Sequence, residues 1–289
     1  MSMSVGPRVR QLVLILLAVA GLVGATTPAL AAQTGQASDT ARHDRTYLAL
    51  GDSVPFGYIG NRPDLYPDPH NLVGWPNFVA DELRLRLRNA SCPGETTDSF
   101  IDATAQSNGC ENRLGSDIGY RDLYPLHVTY EGSQLDYAIK TLDHGPSIRL
   151  VTLQLGANDG FICLATNACA NPEGLSALTA HVEKNLDFIL GQLRSEWHFW
   201  GRIAVLTYYA LDYTDPAGVA FIQAVNQAMI AAAKANHAVV ADGFGAFRSR
   251  ALAAGGSSID AGLVYPNDVH PTTKGHHLLA RAVERAVEH

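Results

Sequence analysis

Positive charge is scarce in this 289-residue chain: 21 Lys and Arg stand against 28 Asp and Glu, a formal net charge of −7. With no basic stripe to follow a phosphate backbone, nucleic acid is not an expected partner, and the charge does not favour an anionic membrane surface. Cysteine is limited to four residues. They show no C-x2-C spacing and no matching His pair, so no metal is expected. Long apolar runs are also rare. The clearest, residues 11–25, is shorter than the roughly 20 residues that span a bilayer. No second segment is read as long enough to span, and no stable membrane anchor is expected. Internal repeats and low-complexity tracts are missing. What remains is a globular composition, 47% apolar and 17% charged, at a length that suits one large or two ordinary domains.

The short apolar run has the form of an export signal. Arg8 and Arg10 precede it, and the small residues Ala29 and Ala31 follow in the −3 and −1 places, which predicts cleavage after Ala31. Residues 1–31 are therefore expected to be a signal peptide, 32–45 a polar flexible leader and 46–289 a single secreted domain. An even cysteine count in an exported chain suggests disulfides, and four cysteines allow three pairings. The sequence-local pairing, Cys92–Cys110 and Cys163–Cys169, is favoured because each bond would staple a Gly/Asn-rich loop.

Along the domain, strand and helix signals alternate. Strands are predicted at 46–51, 84–90, 148–155, 202–208 and 238–242. Helices are predicted at 74–83, 132–142, 174–197, 217–236 and 272–288. Residues 92–131 read as loop-rich and 160–171 as a loop. Such alternation implies a parallel sheet of about five strands with right-handed crossovers and helices on both faces, a three-layer α/β/α domain.

In an open sheet of this kind, ligands bind outside the carboxyl ends of the strands. After the first strand comes Gly51-Asp52-Ser53, and after the second Cys92-Pro93-Gly94. After the third comes Gly156-Ala157-Asn158-Asp159, and before the last helix Asn267-Asp268-Val269-His270. These residue types suit acyl transfer. A serine at a strand-to-helix turn can act as nucleophile, and an imidazole can take its proton. Fixed donors must then hold the oxyanion, and the Ser53 and Gly94 backbone N–H groups and the Asn158 amide are suitable.

Taken in order, the Ser, Gly, Asn and His blocks at Ser53, Gly94, Asn158 and His270 resemble the SGNH (GDSL) esterase/lipase superfamily, over nearly the whole of the expected mature chain. The resemblance implies a flavodoxin-like fold, hydrolysis of carboxylic esters through an acyl-enzyme on Ser53, and no cofactor. The local cysteine pairs are similar to those of secreted bacterial-type members. One departure stands out. The family's last block reads Asp-x-x-His, whereas here Asn267 holds the Asp place and Asp268 sits two residues before His270. Asp268 is the expected partner of the imidazole, with Asn267 or a backbone carbonyl as the alternative.

Bland roles compete at each position. Ser53 could be a helix N-cap, Gly94 a turn glycine, Asn158 a loop cap and His270 a surface residue before Pro271. Asp52 is expected to bind loop backbone, Asp159 to be a structural partner of its turn rather than a catalytic group, and His276 and His277 to be surface or packing residues. Asn89-Ala90-Ser91 fits a glycosylation sequon but is discounted. Phe100, Tyr120, Tyr124, Tyr130, Tyr137, Tyr208, Tyr209 and Tyr213 could line an acyl or alcohol pocket or pack loops. No lid helix is evident, which favours an open cleft and soluble or short-to-medium esters. The expected partner is a small-molecule or lipid ester, and the expected state a monomer. Two alternatives to the esterase are carried forward: a carbohydrate or cell-envelope O-acetyl esterase, and a non-catalytic carbohydrate- or lipid-binding protein on the same scaffold.

Overall fold

A computed structural model describes residues 45–196 and 198–288. The expected signal segment, and the leader except for Arg45, lie outside the described residues.

The sheet has five parallel strands in the order β2-β1-β3-β4-β5. They are β1 Thr46–Gly51, β2 Arg86–Asn89, β3 Ile148–Gln154, β4 Arg202–Leu206 and β5 Val239–Ala241. β1 pairs with β2 on one side (Leu48 with Arg88) and with β3 on the other (Leu48 with Val151). All six residues of β1 are buried, as expected where helices cover both faces of a parallel sheet. Growth of the sheet reverses between β1 and β3, and that reversal opens a crevice at their carboxyl ends.

Five of the helices are those the apolar spacing predicts, whereas Gly243–Ala253 is not among them. The first of these, α2 (Trp75–Glu82), follows the short α1 (Ser53–Phe56). After α3 (Thr97–Ile101) and α4 (Tyr120–Leu123) comes α5 (Gln134–His144), whose start is closed by reciprocal Ser133–Asp136 capping bonds. Then follow α6 (Ala157–Ala165), α7 (Pro172–Gly191), α8 (Pro216–Ala235), α9 (Gly243–Ala253) and α10 (Thr273–Glu288). α7 and α8 each begin with Pro at the first position behind an Asn171 or Asp215 cap, a strong start signal. α10 buries His276, Leu279, Val283 and Val287 along one stripe.

Three expectations need correction. Residues 160–171 do not form a loop throughout. α6 runs through Ala165, because Phe161, Ile162 and Leu164 follow the Gly-Ala-Asn-Asp turn at helical spacing. The helix predicted over 174–197 ends its regular part at Gly191 and passes into a wider π turn, Gln192–Glu196. By length and composition α8 could cross a membrane, contrary to the sequence reading. Here its Val225, Ala228, Met229 and Ala232 face is buried in the main core with residues of β4 and α7.

Both local disulfides are present. Cys92–Cys110 closes a separation of 18 residues and Cys163–Cys169 one of 6. Such bonds fit an oxidising, extracellular environment.

Candidate active site

The site starts from the end of β1. Gly51 has φ +134, and a Cβ there would lie 2.1 Å from the Gln154 carbonyl oxygen, so only glycine lets the strand turn away so closely to β3. Asp52 then caps α1: its Oδ1 accepts from the Val54 N–H at 2.9 Å and its Oδ2 from the Tyr208 hydroxyl at 2.5 Å. Ser53 is thus the first helical residue rather than the cap, and its own N–H lies among the free donors of a helix start. Burial pushes the Asp52 carboxyl up to about 6, against the opposing hydrogen bonds from Tyr208 and Val54.

His270 reaches this turn from the segment before α10. Its Nε2 lies 3.0 Å from Ser53 Oγ, and its Nδ1 lies 2.5 Å from Asp268 Oδ1. The side chains of His270 and Asp268 are 9% and 6% exposed, so the pair is shielded from water. Asp268 is held from three further directions. Its Oδ1 accepts from the Val269 N–H at 2.7 Å and the His270 N–H at 3.3 Å, and its Oδ2 from the Gly60 N–H at 2.8 Å. Burial raises its carboxyl, but the His270 interaction and the N–H donors outweigh that and hold it below the usual carboxylate value.

The missing residue in the Asp-x-x-His pattern has a local explanation. Asn267 has φ +56, a left-handed turn that Asn adopts more readily than most residues. The turn brings Asp268, not Asn267, to the ring. Asn267 itself is exposed, and both ring nitrogens of His270 have other partners. Tyr209 ties down the same segment by donating to the Val269 carbonyl at 2.5 Å, and Tyr58 sets its edge against the imidazole at 5.0 Å.

The Gly94 turn lies between the two ends of the Cys92–Cys110 bond. Gly94 has φ +88, and a Cβ there would come within 2.6 Å of the Gly109 nitrogen, so a side chain is doubly excluded. Asn158 stands at the start of α6. Its Nδ2 donates to the Glu95 carbonyl at 3.0 Å and its Oδ1 accepts from Asn108 at 2.9 Å. Those two bonds fix the amide plane and leave one N–H of the Asn158 amide to spare. Asp159 acts as a structural anchor, accepting from the Thr97 N–H at 3.0 Å and the Thr97 hydroxyl at 2.5 Å. Burial pushes it up to about 6 as well.

Gln134 was not singled out by the sequence. It is fully buried and grips two separate parts of the site. Its Oε1 accepts from the Gly51 N–H at 2.6 Å, while its Nε2 donates to the Gly51 carbonyl at 3.0 Å and the Glu95 carboxyl at 2.8 Å. Burial and nearby Glu111 hold Glu95 well above its ordinary value. Cys92, Glu95 and Cys110 converge, but both sulfurs are spent in the disulfide and offer no thiolate to a metal.

Of the aromatic candidates, Tyr208 and Tyr209 line a cavity beside Ser53. Tyr120 and Tyr124 join Phe56, Tyr58 and Tyr66 in a separate cluster, whereas Tyr130 and Tyr137 pair with each other. Phe100 lies in the main core and Tyr213 donates to the Phe244 carbonyl. His276 is buried and His277 packs its ring at a tilt against Phe78. Asn89 is buried and donates to the Pro55 carbonyl, which closes the sequon to a glycan.

The model of the GDSL-like lipase/acylhydrolase family matches residues 49–278. The chain belongs to that family. No curated protein matches it significantly. Among solved structures it is similar to a putative GDSL-like lipase from Parabacteroides merdae, at 13% identity over 85% of this chain and 96% of that one, with a TM-score of 0.55. An α/β hydrolase enzyme from the metagenome of Lake Arreo, Spain, matches at 19% identity over 85% and 95%, with a TM-score of 0.54. An acetylxylan esterase from Geobacillus stearothermophilus matches at 16% identity over 85% and 94%, with a TM-score of 0.53. At these identities the likeness is one of fold, the α/β/α arrangement around five parallel strands.

Proposed function

We propose that this GDSL-family protein is a secreted serine hydrolase of carboxylic esters, with Ser53 as nucleophile, His270 as base and Asp268 as the acid that orients the imidazole. The observation that carries this reading is the unbroken chain from Ser53 Oγ through the His270 ring to Asp268, with contacts of 3.0 and 2.5 Å. With the ring proton on Nδ1 facing Asp268, Nε2 offers its lone pair to the serine hydroxyl.

In this mechanism Ser53 Oγ attacks the ester carbonyl carbon while its proton passes to Nε2. The carbonyl oxygen becomes an oxyanion and takes hydrogen bonds from the Ser53 N–H, the Gly94 N–H and the spare Asn158 N–H. The imidazolium returns its proton to the departing alcohol, leaving an acyl-serine. Water then attacks the acyl carbon, gives a proton to Nε2, and releases the acid when Oγ leaves and recovers that proton. Export rests on the Arg8-to-Ala31 signal pattern and agrees with the two disulfides.

The test is covalent labelling with a fluorophosphonate probe beside hydrolysis of p-nitrophenyl esters. The mature protein should label and turn over, and Ser53→Ala should do neither. A folded protein that neither labels nor hydrolyses any ester would favour the non-catalytic binding protein instead.

A further inference from the structure

A cavity of about 250 Å³ lies beside Ser53, between α6 and α8. Phe161 and Leu164 of α6 form one wall, and Phe221, Ile222 and Val225 of α8 form the other. Ser53 and Asn158 also line it. Its carboxylates are already engaged: Asp52 by Tyr208 and Val54, Asp212 by Thr214, and Asp215 by the first N–H groups of α8. The remaining lining is largely hydrocarbon and aromatic ring.

The orientation of this cavity decides which half of an ester it can take. In the proposed reaction the alcohol must leave beside His270 Nε2, which hands it a proton. Tyr58 stands on that side, 5.0 Å from the imidazole. Neither His270 nor Gly94 lines the cavity, nor does any residue from 56 to 127. From the His270 segment only Val269 reaches the lining, so the cavity extends from the nucleophile chiefly toward α6 and α8 rather than toward Tyr58.

We infer that this cavity is the acyl pocket, that it selects medium-length straight acyl chains over acetyl, and that Phe221 sets their length; the inference rests on the serine-esterase reading above. Three observations support it. The volume of about 250 Å³ far exceeds what one methyl-sized group fills, so acetyl would leave most of it empty and a chain of several further carbons has room. Phe161 and Leu164 remain 42% and 49% exposed; a medium chain would cover apolar surface at this rim that acetyl cannot reach. Phe221 reaches across from α8, where a Cβ on Gly160 of α6 would lie 3.1 Å from its ring. The bare glycine lets the ring close the space between the helices. Cys163 lies between Phe161 and Leu164 and is bonded to Cys169, which braces the α6 wall against outward movement.

The experiment is a kcat/KM series over p-nitrophenyl esters from acetate to palmitate. It uses the mature protein, Phe221→Ala and Ile222→Phe, with Ser53→Ala and fluorophosphonate labelling as controls. The native profile should peak at a medium chain length, between butyrate and decanoate, and exceed acetyl at least about tenfold. Phe221→Ala should move the peak to longer chains. Ile222→Phe should lower the octanoyl-to-acetyl ratio by about tenfold. Each readout is a ratio within one variant, so the folded fraction cancels. A peak at acetyl, or profiles that neither variant alters, would overturn the pocket assignment while Ser53-dependent labelling left the esterase reading standing. Absence of both labelling and hydrolysis would overturn the esterase reading and the pocket with it.

Discussion

Replacing Asp268 by Asn tests the least family-like part of the site. In the native turn both carboxylate oxygens accept N–H groups, Oδ1 from His270 and Val269 and Oδ2 from Gly60. Asparagine keeps one acceptor and turns the other into a donor. If its NH2 faces the ring, the imidazole must carry its proton on Nε2 and has no lone pair for Ser53. In the serine-protease template that wrong tautomer costs about ten-thousandfold in kcat. If the NH2 faces Gly60 instead, two donors meet at an exposed backbone N–H, where water takes up part of the cost. Adopting that arrangement restores the useful tautomer but forfeits the negative charge beside the developing imidazolium. The expected loss of kcat is therefore between roughly a hundredfold and ten-thousandfold, with little change in KM. The assay is steady-state hydrolysis of a p-nitrophenyl ester, with thermal melts confirming the fold. Asn267→Gly is the control, since glycine accepts the φ of +56 and should stay within about threefold of native. An Asp268→Asn enzyme within tenfold of native, or an equal loss in Asn267→Gly, would refute the assignment.

The buried Asp52 carboxyl, pushed up to about 6, binds its proton more tightly in the folded than in the unfolded chain. Its favourable contribution is therefore full below the ordinary carboxylate pKa and lost as pH rises through about 6. Asp52→Asn should gain roughly 3 kcal/mol relative to native between pH 4 and 7, measured by denaturant melts; a pH-independent difference would contradict this. Gln134→Leu would leave the Gly51 N–H without its acceptor and remove one of two donors to the Glu95 carboxyl, which keeps Ser99. It should lower the melting temperature and reduce kcat about tenfold while KM holds; a folded variant with native kcat would show that the clasp does not position the site. Reduction should destabilise the protein by about 3 kcal/mol for Cys92–Cys110 and about 2 kcal/mol for Cys163–Cys169, from loop-closure entropy. Melting of the paired Cys→Ala variants reads each bond separately, and unchanged midpoints would exclude the contribution.

The sequence made β1, β3 and β4 legible because each is an apolar run with few competing signals. It hid α6, whose Gly-Ala-Asn-Asp-Gly start looks like a loop, and α9, whose two glycines and three charged or polar positions blur any helical stripe. The Ser53, Gly94, Asn158 and His270 blocks could be read because each chemical type follows a strand end or precedes the last helix. The geometry of Asp268 could not, since it turns on one left-handed residue that no spacing rule reveals. Gln134 was equally silent: its principal partners are the backbone of Gly51, 83 positions earlier, and a glutamate 39 positions away. The cavity wall depends on α6 and α8 coming together, which is a property of the layers and not of either segment.

Ser53 and His270 are separated by 217 positions, and that distance orders events in time. As the polypeptide is made from its amino end, β1, its turn and all the remaining strands exist before His270 does. Until the closing segment arrives, the Ser53 hydroxyl has no base and, in the proposed mechanism, stays an ordinary alcohol. Hydrolytic activity then becomes a report of completion: a chain stopped short of the final turn could assemble much of the sheet yet attack nothing.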